Sequence, residues 1–89
     1  MQKLDGKFHG VIARDRDGQI VPPDQYVVFL ARDNAFLPTL KFYYDECDRQ
    51  GAAIEQLEAI SRLIIRVEKW RKENPDLCKL PDAAPGECQ

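Results

Sequence analysis

The stretch from Pro22 to Gly51, PPDQYVVFLARDNAFLPTLKFYYDECDRQG, constrains the chain most. It carries prolines at Pro22, Pro23 and Pro38, most of the aromatic residues, and a closing glycine. Proline suits the first turn of a helix but not its interior, and glycine readily terminates one. The spacing therefore predicts a short helix one over residues 24–34, a break before Pro38, and helix two running to about Gln50. The residue before proline avoids the α region, which sets the break at Asn34–Leu37. Along helix two, Leu40, Tyr43, Tyr44 and Cys47 fall on one inward stripe, and Phe42 faces the other way.

Helix three is expected over about 52–73. Leu57, Ile60, Leu63, Ile64, Val67 and Trp70 supply a wide apolar face. Arg62, Arg66 and Lys69 form a basic stripe opposite, supported by Glu58–Arg62 and Glu68–Lys72 pairs at i,i+4 spacing. Ile65 sits amid that polar side. Asn74-Pro75 ends the helix, and the tail, 76–89, docks at most through Leu77 and Leu80.

Ahead of this core lies an N-terminal arm, residues 1–21. Residues 1–7 are polar and expected to fray. Phe8–Ile12 and Gln19–Val21 are short extended runs around Asp17-Gly18, a hairpin turn signal. Asp15-x-Asp17-Gly18 faintly matches a calcium loop, but the closing glutamate is missing, so a plain turn is favoured. The fold expected is mainly α: a short helix and a two-helix antiparallel hairpin (the helical domain, 22–75), with a β-hairpin or extended arm.

With 89 residues the chain makes one small domain. A domain this size buries only about 60–65% of its unfolded surface. Self-association is one remedy for so thin a core. Phe42 and Ile65 lie on the wrong sides of their helices for a monomer, which points to a second contact surface. A net charge of −2 does not suggest a general binder of DNA or RNA, which would be strongly basic, yet permits a small anionic ligand. No run approaches the roughly eighteen apolar residues of a membrane span, and no apolar leader precedes residue 14. The cysteines, Cys47, Cys78 and Cys88, are odd in number and form no CxxC pair, which favours reduced thiols in a cytosol. A mixed site of these thiols with the single histidine, His9, is strongly disfavoured, and no metal is expected.

Motifs for phosphate loops, dinucleotide folds, zinc proteases and nucleophile elbows are all missing, and no cofactor is expected. The carboxylates Asp45, Glu46, Asp48, Glu55 and Glu58 lie where solvated helix faces should. The sequence therefore reads as a binding protein without catalytic residues.

The central stretch resembles the phage-encoded anti-CBASS sponge family, small helical proteins that sequester cyclic oligonucleotide signals of bacterial immunity. The resemblance is carried by Tyr26-Val27-Val28-Phe29-Leu30-Ala31-Arg32-Asp33-Asn34, by Pro38-Thr39-Leu40-Lys41, and by Val67-Glu68-Lys69-Trp70-Arg71. It covers about residues 22–80 and leaves the arm outside. In that family a tyrosine and a lysine engage the purine bases of a cyclic dinucleotide, and Tyr26 and Lys41 have the family's spacing of fifteen. The resemblance implies a hexameric homo-oligomer with dinucleotide pockets between protomers. It also implies a separate cyclic trinucleotide pocket using arginine, for which Arg62 and Arg66 are the candidates by charge. Ligands such as cyclic GMP-AMP, and the cytoplasm of an infected bacterial host, follow from it. Without the resemblance, Tyr26 reads as an amphipathic residue at a helix start and Lys41 as a solvated lysine. The alternative is a helical interaction module that masks a host protein through Phe42, Ile65 and Trp70.

Overall fold

The computed structural model describes residues 2–81. They divide into two compact units, the first ending at Val28 and the second spanning Phe29–Pro81.

In the first unit, β1 (Ile12–Ala13) and β2 (Ile20–Val21) form an antiparallel hairpin with Ile12 opposite Val21 and Ala13 opposite Ile20. The turn between them is the one expected at Asp17-Gly18. Gly18 takes φ +71°, open to glycine at little cost, and its amide donates to the Arg14 carbonyl at 2.7 Å. Asp17 accepts from the Gln19 amide at 2.9 Å and pairs with Arg14 and Arg16, which occupies its carboxylate with holding the turn.

Helix one does not form over 24–34. Only a single 3-10 turn, Pro23–Gln25, appears, and Tyr26 is already extended at φ −139°, ψ 157°. The physical reason lies in Tyr26-Val27-Val28-Phe29, β-branched and aromatic residues that favour extended backbone. Exposure alternates along it: Tyr26, Val28 and Leu30 are half-buried, Val27 and Phe29 exposed. That is the period of two of a strand, not the helical period read above.

The second unit is a helix hairpin. Its first helix, α1 (Phe36–Arg49), starts two residues before Pro38. Proline is tolerated there because the first four amides of a helix have no intrahelical partner. The Asp33 side chain accepts from the Ala35 amide at 2.8 Å and prepares the start. Gly51, at φ +84°, ends α1 as expected. The Ala52 amide reaches back to the Cys47 carbonyl at 2.9 Å and the Gly51 amide to Asp48 at 3.0 Å. This paired closure satisfies carbonyls the helix would leave open.

The second helix, α2 (Ile54–Glu73), ends at Asn74, whose side chain donates to the Trp70 carbonyl at 2.8 Å. The two helices pack through Leu40, Ile60 and Val67, with Ala31, Phe36, Leu37, Tyr44, Cys47 and Ile64 against them. The inward stripe of α1 is thus Leu37, Leu40, Tyr44 and Cys47. Tyr43, placed inward by spacing, is instead 52% exposed, because α2 covers a narrower arc than a wide apolar face allows. Leu63 is likewise at the margin. Phe42 and Ile65 are 69% and 62% exposed, as their positions predict. Phe29 stacks on Phe36 with ring centroids 5.6 Å apart.

After α2 the chain makes a second 3-10 turn, Pro75–Leu77. Leu77 and Leu80 are exposed and do not dock the tail. Backbone bonds do so instead. The Lys79 amide donates to the Arg32 carbonyl at 3.0 Å and the Asn34 amide to the Lys79 carbonyl at 2.9 Å. Most of the tail, 82–89 with Cys88, lies outside the described residues. Among the described residues, no helix is long and apolar enough to cross a membrane.

Candidate functional site

Tyr26 belongs to the first unit. Its half-buried side chain donates from Oη to the Gly10 carbonyl at 3.4 Å, a long bond a ligand can replace. The backbone around it is tied at two places. The Leu4 amide donates to the Pro23 carbonyl at 3.1 Å, and the Val28 amide to Asp5 Oδ2 at 2.8 Å. Asp5 Oδ1 also accepts from the amides of Lys7 and Phe8 at 2.8 and 3.3 Å. Residues 4–8 are therefore held, not frayed. The bond from Val28, then that from Lys7, holds the Asp5 carboxyl below its ordinary range, with Phe8 and the Lys3 charge adding to them.

Lys41 belongs to the second unit. It is exposed on the first half of α1, and its Nζ lies 3.5 Å from a carboxylate oxygen of Glu68 on α2. Glu68 therefore pairs across the hairpin, where i,i+4 spacing had given it Lys72. Glu68 also lines an open groove of ≈520 Å³ with Leu37, Lys69, Arg71 and Lys72. Arg71 is fixed by two carbonyls and an amide oxygen: Ala31 at 3.0 Å, Asp33 at 3.1 Å and Asn34 Oδ1 at 2.8 Å. None of these partners is charged, so the guanidinium keeps its full field. Lys69 and Lys72 make no ion pair among the described residues. Around Glu68 four cations thus face one carboxylate, in a chain whose net charge is −2. A concave wall with that balance attracts anions, and Leu37 gives it an apolar side.

Arg62 and Arg66 are exposed on α2 and do not line this groove. Glu58 forms no ion pair with Arg62 among the described residues. Trp70 is half-buried, which leaves Phe42 and Ile65 as the exposed members of the apolar trio named from sequence. Cys47 and Cys78 are free, half-buried thiols. Among the described residues no three His, Cys, Asp or Glu side chains gather in a group that could hold a metal.

Sequence reasoning missed Asp5, Arg71 and Lys72. Asp5-Gly6 carries a usable signal, since an aspartate before glycine commonly accepts from backbone amides just ahead. Arg71 carries none, because its partners are 37–40 residues away. Comparison with protein-family models, with curated proteins and with solved structures gives no match to this chain.

Proposed function

We propose that the protein binds and sequesters cyclic dinucleotide second messengers of bacterial CBASS immunity, and cyclic trinucleotides at a second site, without cleaving them. In this reading it is a bacteriophage immune-evasion protein working in the cytoplasm of the infected host. The observation that carries the reading is the charge placement around Glu68. Lys41, Lys69, Arg71 and Lys72 concentrate positive charge beside Leu37 in an otherwise acidic chain. Such a wall suits a compact ligand with two phosphates and apolar ring faces. Tyr26, in the first unit, supplies by itself an aromatic face and a hydroxyl, and stacking on a base is worth about 1–3 kcal/mol. We retain Arg62 and Arg66 as phosphate contacts for the trinucleotide.

A cyclic dinucleotide has near two-fold symmetry, so a pocket shared by two protomers offers each group twice. The exposed Phe42 and Ile65 supply apolar surface for the hexamer that the resemblance implies. The same two side chains favour a second reading, an interaction module that masks a host protein.

Calorimetry with a panel of cyclic dinucleotides that includes cyclic GMP-AMP separates the two. Capture requires binding that Tyr26→Ala and Lys41→Ala each weaken by about 1–3 kcal/mol per contacted base. Trinucleotide binding should survive both. Ligand released by heating should elute intact; linear products would replace sequestration with a nuclease. Silence across the panel would leave the interaction module.

A further inference from the structure

We infer that the N-terminal arm acts through Asp5 to hold Tyr26 in position for the ligand; this rests on the reading of Tyr26 as a base contact. The chain over residues 26–30 belongs to no helix or sheet. An extended segment without a ladder has no intrinsic register and takes its position from whatever bonds it makes. Here two bonds bracket Tyr26, one at Pro23 and one at Val28, and both partners lie in residues 4 and 5. Asp5 alone spans the bracket's far side. One of its oxygens folds residues 7 and 8 back on it, and the other receives the Val28 amide, 23 residues away in sequence. A third tie, from the Tyr26 hydroxyl to Gly10, ends on the same arm. The carboxylate is the right group for this task. It offers two acceptor oxygens in fixed relation and no donor, matching three amides that need acceptors.

The energetic consequence is a population effect. A ring that must be placed before it can stack binds with an affinity reduced by the fraction of molecules that have it placed. Asp5 is a positioning residue in this scheme and touches no ligand.

The test compares Asp5→Ala and Asp5→Asn with the unaltered protein. Tyrosine labelled with carbon-13 in the ring reports Tyr26, Tyr43 and Tyr44 separately by NMR, with Tyr26→Ala giving the assignment. In Asp5→Ala the Tyr26 ring signals should move toward those of an unstructured peptide, while Tyr43 and Tyr44 stay. Affinity for cyclic GMP-AMP should fall about tenfold or more, the scale of losing a hydrogen bond to a charged group. Asp5→Asn keeps one acceptor oxygen and should rescue part of both losses. Unmoved Tyr26 signals in Asp5→Ala overturn the inference whether or not the nucleotide binds. Moved signals with unchanged affinity overturn it as well. Should the unaltered protein bind no cyclic nucleotide while the Tyr26 signals still move, the ligand assignment fails and the Asp5 latch stands.

Discussion

The Lys41 ammonium sits 3.5 Å from the Glu68 carboxylate, joining α1 to α2 at the rim of the cationic groove. Both side chains are about half exposed, so the pair adds little to stability, on the order of 0–1 kcal/mol. Under the proposed function its weight falls on binding, because a phosphate that meets Lys41 would compete with Glu68. Glu68→Gln should raise affinity for cyclic dinucleotides about threefold, the scale of one exposed pair, and leave the melting temperature nearly unchanged. Calorimetry and a thermal melt check both halves. Weaker binding in Glu68→Gln would make Glu68 a ligand contact.

Arg71 anchors the segment before α1. Arg71→Ala removes three hydrogen bonds, to the Ala31 and Asp33 carbonyls and to Asn34 Oδ1, of which the Asp33 carbonyl keeps the Phe36 amide at 3.0 Å. The loss should be about 2–3 kcal/mol in urea unfolding followed by circular dichroism. Arg71→Lys should recover under half of it, since an ammonium cannot reproduce the planar fork.

Acid should release the arm before the helices. The folded-state pKa of Asp5 is depressed, so its contribution is complete above the ordinary aspartate value of about 3.9. It is lost as pH falls through the lower folded value. The nearby Lys3 charge adds a smaller push in the same direction. The Val28 amide resonance should therefore shift with a midpoint below about 3.9, with helical circular dichroism still intact. The same resonance should be flat across that range in Asp5→Asn.

If the chain self-associates as proposed, Phe42→Glu should move it toward smaller species in light scattering coupled to size exclusion. It places a charge where an apolar side chain is 69% exposed within one copy. Fusion to a single smaller mass supports an interface at Phe42; an unchanged mass removes Phe42 from it.

How much of this was legible in the sequence depends on how local the cause is. Gly51 and Asn74-Pro75 each punctuate a helix by their own backbone chemistry, and both helix ends fall where they place them. The start of α1 slipped because the rule against α backbone before Pro38 yields to packing of Phe36 and Leu37. Tyr26–Leu30 is ambiguous in sequence because a short apolar run fits periods of two and of 3.6 alike. Tyr43 was misplaced because the width of a buried face is set by the partner helix. The exposure of Tyr26's neighbours, the Lys41–Glu68 pair and the Arg71 anchor are tertiary facts, which no window along the chain contains.

Among the described residues only Leu40, Leu57, Ile60 and Val67 are buried, and none is sealed completely from solvent. A protein that removes so little apolar surface from water has a small heat-capacity increment on melting. Its stability curve is then shallow, its thermal transition wide, and its denaturant slope low. The proposed self-association would alter all three at once, because each added copy would cover more apolar surface. The midpoint of melting should climb with protein concentration over a hundredfold dilution series, as mass action requires when only the folded chain associates. If copies associate as proposed, concentration becomes a variable of folding for this chain in the way that temperature is for larger domains.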